Sequence, residues 1–181
     1  AAACERLGQL YHQQYGYNKY TLDAYFNGLK YYSLAGDSLG YYRQHYVIGD
    51  YYTHDYLMQA SAEKYLKKAL HYFERTGNAP RLLECRLGLA DIAQQREPMP
   101  AQLLTDLRQI EQLGRQHRQP YLQAFPQNIL ASAYARLKRP DSAQYFARRS
   151  LALAQQLNVN WLIALNQFYL GIVEQFRNNP T

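Results

Sequence analysis

The chain has 181 residues, enough for one ordinary domain that buries a hydrophobic core. Apolar residues make up 48% of it, and no apolar run approaches the roughly 20 residues that span a bilayer as a helix. The formal net charge is +6, with 9 Lys/Arg against 4 Asp/Glu in residues 101–181. This basic bias is too mild and too scattered to predict nucleic-acid binding by itself.

The first two predicted units cover about residues 1–37 and 38–78. Each opens with a helix that carries a Leu/Ile-Gly pair and a Tyr three positions later, and Gly36-Asp37 and Gly77-Asn78 mark the turns. Fifteen of the 19 tyrosines lie between Tyr11 and Tyr72. A tyrosine joins a large ring to a polar tip, so it suits both half-buried helix faces and binding surfaces. Packing between helices is the favoured interpretation, and a ligand surface is the alternative.

The later predicted units cover about residues 79–116, 117–158 and 159–181. The third is the least regular, with its second helix near residues 101–113. In the fourth, Pro140 and Asp141 form a good helix start, because proline fixes φ and an acid suits the first turn. A final helix is predicted at about Asn160–Arg177. It has no second helix after it, so the sequence predicts a fragment of a longer protein with an uncapped end.

A small residue recurs at a nearly constant interval in the first helix of every unit. It stands at positions 8, 49, 88, 131 and 171, so the steps are 41, 39, 43 and 40 residues. Four of these five residues are glycines, which cost about 1 kcal/mol each relative to alanine inside a helix. A close approach between helices would explain that cost. The second helices repeat an apolar face, such as Ala143, Ala147, Ser150, Leu151 and Ala154.

These features resemble the tetratricopeptide repeat family, whose first helix reads W-x2-L-G-x2-Y. Unit one reads Cys4-x2-Leu7-Gly8-x2-Tyr11, without the Trp, and the period is nearer 40 than the family's ~34 residues. The resemblance covers nearly the whole chain. It implies an all-α fold: a right-handed α-solenoid of antiparallel helix pairs, about nine helices in one domain over residues 1–181. Longer-period variants resemble repeats in bacterial signalling proteins, such as histidine kinases and transcriptional regulators.

In that family the first helices line a concave groove that binds proteins or peptides. The resemblance therefore implies a protein- or peptide-interaction domain, as the sensory or scaffolding region of a larger signalling protein. The groove positions carried over are Glu5, Gln9, His12, Arg43, Tyr46, Asp50, His54, Arg86, Asn128, Ser132 and Arg136, with Cys85, Leu89 and Phe125 beside them.

The sequence predicts no enzyme, no catalytic residue, no metal site and no cofactor. It has no phosphate-binding glycine loop, no HExxH and no GxSxG. Asp50 and His54 are i, i+4 neighbours on a helix and could share a metal or a proton. Two ligands do not close a zinc site, however, so a surface Asp–His pair is the favoured interpretation.

The alternative function is a nucleic-acid-binding helical repeat that uses the basic C-terminal half. The sequence disfavours it, because the aromatic residues lie in the nearly neutral first half. A homo-oligomer through the uncapped last helix is a further expectation. The two cysteines favour the cytoplasm, and the periplasm stays open if a signal or anchor has been removed.

Overall fold

The computed structural model describes residues 1–16 and 18–178. Those residues form nine α-helices and one 3-10 helix, with no strand, which confirms the predicted all-α helical repeat. The right-handed superhelix stays a prediction. The helices are α1 (Ala2–Tyr15), α2 (Lys19–Leu34), α3 (Ser38–Thr53), α4 (Gln59–Arg75), α5 (Ala79–Gln94), α6 (Leu103–Gln116), α7 (Tyr121–Arg136), α8 (Pro140–Gln156) and α9 (Asn160–Asn178), with the 3-10 helix at Tyr56–Met58.

The chain divides near the end of α5 into two compact units, residues 1–92 and residues from 93 onward. In the first unit α1 packs on α2, α2 on α3, and α3 on α4. In the second unit α6 packs on α7, α7 on α8, and α8 on α9, and α7 also contacts α9. Helices that follow one another in the chain therefore pack together in both units. This division does not decide whether the two units fold as one domain, so the single domain over the whole chain stays a prediction.

The backbone repeats with the period of the sequence. After α2, α4, α6 and α8 one residue adopts a left-handed conformation: Gly36 (φ 65°), Gly77 (φ 66°), Arg118 (φ 53°) and Asn158 (φ 54°). The steps between them are 41, 41 and 40 residues. In each case the next N–H donates to the carbonyl five residues earlier, as in Asp37 to Tyr32 (3.1 Å). The second helices thus all end in the same Schellman motif.

The recurring small residue is a contact point between helices in the first unit. A Cβ added at Gly49 would lie 2.7 Å from Cγ of Leu66, and one at Gly88 would lie 3.0 Å from Cδ1 of the same leucine. Gly8 faces the ring of Tyr25 just as closely. The packing explanation is therefore confirmed at these three glycines. Gly171 differs, because nothing lies within 4 Å of the Cβ position there.

The predicted apolar faces of the second helices form much of the core. On α4 the side chains of Ala62, Leu66, Ala69 and Phe73 are buried, and on α8 the equivalent four positions are buried as well. The tyrosines differ in burial, and the ligand surface stays a prediction. Tyr25 and Tyr32 on α2 are core residues, whereas Tyr20 on the same helix is 68% exposed.

Candidate partner-binding surface

Eight of the predicted groove residues belong to the first unit, on or directly after its first helices α1, α3 and α5. Gln9 and His54 are exposed, and the other six are half-buried. We call this set the first-unit surface: Glu5, Gln9, His12, Arg43, Tyr46, Asp50, His54 and Arg86. It joins acids, bases, an amide and an aromatic ring in one region.

Glu5 and Arg43 connect α1 to α3 across this surface. The guanidinium Nη2 of Arg43 donates to Oε2 of Glu5 at 2.6 Å, and the Tyr32 hydroxyl donates to the same oxygen at 3.0 Å. Burial opposes the charge on Arg43, but the hydrogen bond and charge of Glu5 raise its pKa. Burial, followed by the hydrogen bond to Glu5, raises the pKa of Tyr32. The arrangement holds both charges in place before any partner arrives.

Tyr46 connects α3 to α5 by packing. Its ring lies against the core cluster of Ala69, Phe73 and Cys85, so it is part of the hydrophobic interior as well as of the surface. Burial raises the pKa of the Cys85 thiol to about 12, which leaves it protonated and unreactive at neutral pH. The packing of Tyr46 therefore joins α3 to a cluster to which α4 and α5 both contribute.

The remaining positions of the surface differ in how firmly they are held. His12 lies against the ring of Tyr51, with centroids 5.8 Å apart, and Arg86 lies 3.9 Å from a carboxylate oxygen of Glu74. Gln9 is exposed to solvent. Residues held by neighbours give the surface a fixed shape, and exposed ones are accessible to a partner.

Asp50 is an acid of the first unit whose pKa is shifted by its surroundings. Burial raises its pKa from 3.8 to about 6, with smaller contributions from Asp91 and Glu84 on α5, while His54 lowers it. The His54 ring also contacts the backbone of Asp50. Its Nδ1 lies 3.1 Å from the backbone oxygen of Asp50. The Asp50 carboxyl therefore changes charge near pH 6, where it can donate or accept a hydrogen bond.

The three predicted groove residues of the second unit lie in different surroundings. Asn128 and Ser132 on α7 are buried, and the Asn128 amide donates to Asn166 of α9 at 2.9 Å. Arg136 is exposed and pairs with Glu97 and with the carbonyl of Gln94. Two of the three thus serve contacts inside the protein.

Sequence reasoning missed the buried polar residues behind these surfaces. In the second unit the Asn166 amide donates to Ser150, and the Ser150 hydroxyl donates to the carbonyl of Ala124. In the first unit Gln44 is fully buried, yet neither its amide nitrogen nor its oxygen has a hydrogen-bond partner. Nothing in the sequence marked Gln44, because a glutamine on an amphipathic helix normally faces solvent.

Comparison with protein-family profiles and with curated protein sequences finds no match to this chain. Its class therefore rests on architecture, and it is an all-α helical repeat protein. Among the residues described, no group of three or more His, Cys, Asp or Glu could hold a metal ion. No helix in the described ranges is both long enough and apolar enough to cross a membrane.

Proposed function

We propose that the chain is a non-catalytic interaction domain that binds a protein or peptide on the first-unit surface. The observation that supports this function is that all eight predicted residues, which lie on or directly after α1, α3 and α5, are exposed or half-buried. The Glu5–Arg43 pair fixes part of the surface in advance, which reduces the entropy lost on binding. The mixture of charge, amide and aromatic ring suits an extended peptide or a partner helix.

The wider setting of this function rests on the resemblance to the tetratricopeptide repeats. On that basis we place the domain as the sensory or scaffolding region of a larger bacterial signalling protein. The fold supports an interaction role by analogy, because α-solenoids present long surfaces built from many repeats.

Nucleic-acid binding is the competing function, and it would use the basic second unit. Lys138, Arg139 and Arg148 are exposed there. Two other arginines of that unit are engaged, because Arg136 pairs with Glu97 and Arg149 lies 3.3 Å from the buried carboxylate of Glu111. Internal pairing weakens the positive field that phosphate binding requires.

Two variants separate these functions. One combines His54→Ala with Gln9→Ala on the first-unit surface, and the other combines Arg139→Ser with Arg148→Ser. All four residues are exposed, so both variants keep the fold, which a urea titration would verify. After a pull-down has identified the partner, isothermal titration calorimetry measures its affinity for each variant at several salt concentrations.

We expect the first variant to bind at least about tenfold more weakly, with modest salt dependence, because accessible polar anchors supply the affinity. We expect the second variant to bind like the wild type. A partner that tolerates the first variant, requires the two arginines and dissociates steeply with added salt would establish the nucleic-acid function instead.

A further inference from the structure

The last helix carries a row of large apolar side chains that its own fold covers only in part, as where the Trp161 ring packs edge-on against Phe125 of α7. Trp161 (44%), Leu165 (37%), Phe168 (61%) and Phe176 (37%) are exposed, and Ile172 is partly exposed. Their spacing of 4, 3, 4 and 4 residues places all five on one face of α9. We call these five residues the α9 stripe.

The rest of α9 shows that the stripe lies beside the buried side of the helix. Leu162, Asn166 and Val173 are fully buried about a quarter turn around the helix from the stripe, where α9 packs on α7 and α8. Gly171, next to the stripe, has nothing within 4 Å of its Cβ position, although Gly8 and Gly49 each meet a side chain of the following helix. The outer face of α9 thus offers a close approach to another helix that nothing in the described chain occupies.

The order of the stripe residues suits a second copy of α9 as the partner. The stripe is nearly symmetric about a point halfway between positions 168 and 169. Leu165 and Ile172 lie 3.5 positions to either side of this point, and Trp161 and Phe176 lie 7.5 positions to either side of it. An antiparallel second α9 would therefore set Trp161 against Phe176 and Leu165 against Ile172, with the two Phe168 rings near the twofold axis. A face that complements itself in this way is what an isologous dimer needs.

We propose that α9 is a homodimer interface, in which the α9 stripes of two copies pack antiparallel on each other. Charge is compatible with burying this face. No charged residue occurs from Asn160 to Val173, and Glu174 lies on the far side of the helix from the α9 stripe. Arg177 is already paired with Asp141 of α8 at 2.7 Å.

The size of the stripe sets the strength of the dimer. Fifteen residues separate its ends, so it is about 22 Å long at 1.5 Å per residue. One helix face buries less than the ~800 Å² per partner of a standard stable interface. We therefore expect a weak and reversible dimer. Such a dimer would carry two first-unit surfaces, which would increase its avidity for a partner that contains two or more binding sites.

Sedimentation equilibrium of the full chain between about 1 µM and about 300 µM tests this proposal. We expect the average mass to rise from one copy toward two over that range. Phe168→Glu should stay monomeric throughout, because it places like charges at the axis. Leu34→Glu, which changes a 74% exposed leucine on α2, is the matched control and should dimerise like the wild type.

Cysteine cross-linking then tests the orientation, in a Cys4→Ser background. A mixture of Trp161→Cys and Phe176→Cys chains should form a mixed disulfide under mild oxidation. Trp161→Cys alone should not, because its two copies lie about 22 Å apart in the antiparallel pair.

A wild type that stays monomeric at every concentration would overturn the proposal. So would a Phe168→Glu chain that still dimerises, or preferential cross-linking of Trp161→Cys with itself. Neither test involves the partner of the first-unit surface. The dimer and the proposed interaction function can therefore fail independently.

Discussion

Gly28→Ser should stabilise the protein, because it would give the buried amide of Gln44 a hydrogen-bond partner. The second unit contains the equivalent contact with both hydrogen-bonding partners present. Ser150 on α8 and Asn166 on α9 lie 122 residues after Gly28 and Gln44, and their side chains are bonded at 2.9 Å. In the first unit Gly28 has no hydroxyl to offer, and both amide atoms of Gln44 are unpartnered.

The space at Gly28 suits a serine. An added Cβ would lie 3.4 Å from Cδ and Oε1 of Gln44 and 3.7 Å from Cβ of Cys4, at or near ordinary van der Waals distance. Replacing a helical glycine by serine contributes about 0.5 kcal/mol. Satisfying a buried amide contributes about 1 to 2 kcal/mol more. We expect Gly28→Ser to raise the free energy of unfolding by about 2 kcal/mol.

Urea denaturation followed by circular dichroism measures this gain through the transition midpoint. Gly28→Ala is the control for helix propensity alone and should gain about 1 kcal/mol. In a Gln44→Met background the advantage of serine over alanine should vanish, since no amide is then present. A Gly28→Ser protein no more stable than Gly28→Ala in the natural background would refute the reasoning.

Three other changes test different parts of the fold. Lys138→Gly should stabilise the protein by about 0.5 to 1 kcal/mol, because Lys138 has φ 53° and glycine tolerates that conformation. Urea denaturation measures the change, and a loss of stability would contradict this expectation. Gly88→Leu should lower the melting temperature, with a cost of about 1 to 3 kcal/mol, because Leu66 already occupies the space; an unchanged melting temperature would contradict the packing role. Asp50→Asn should raise the stability at neutral pH, and it should remove the fall in stability that the wild type shows between about pH 4 and pH 6.

Much of the repeat architecture is predictable from the sequence, because its determinants are local. Pro140 begins α8 as expected, with Asp141 in its first turn. The weakest prediction was the second helix of the third unit, expected near residues 101–113 and found at Leu103–Gln116. The prolines before it interrupt the pattern, so the helix start was poorly defined.

The surroundings of the groove residues were less predictable, because burial depends on which helices meet. Tyr46 and Asn128 occupy equivalent positions, yet Tyr46 keeps some exposure and Asn128 is covered by α9. Periodicity identifies the face of a helix but does not show what packs on that face. For the same reason the role of Tyr32 in holding Glu5 and Arg43 together could not be foreseen.

Asp50 gives the first-unit surface a dependence on pH whose sign follows from its burial. Its pKa is raised from 3.8 to about 6, so between these values the folded chain holds the proton more tightly than the unfolded chain. Stability therefore falls as the pH rises from about 4 to 6, and the full cost persists above that range. The shift of about two units corresponds to at most ~3 kcal/mol, and partial exposure reduces this to about 1 to 2 kcal/mol.

The difference between Asp50→Asn and the wild type isolates this effect, because other acids titrate in both proteins. In urea denaturation at several pH values, we expect the two stabilities to converge near pH 4. Above pH 6 the variant should be more stable by about 1 to 2 kcal/mol. Asp23→Asn, at an exposed position on α2, is the control and should follow the wild type at every pH. An Asp50→Asn variant less stable than the wild type at pH 7 would mean that the carboxylate is stabilised by partners, since an amide could not replace its charge.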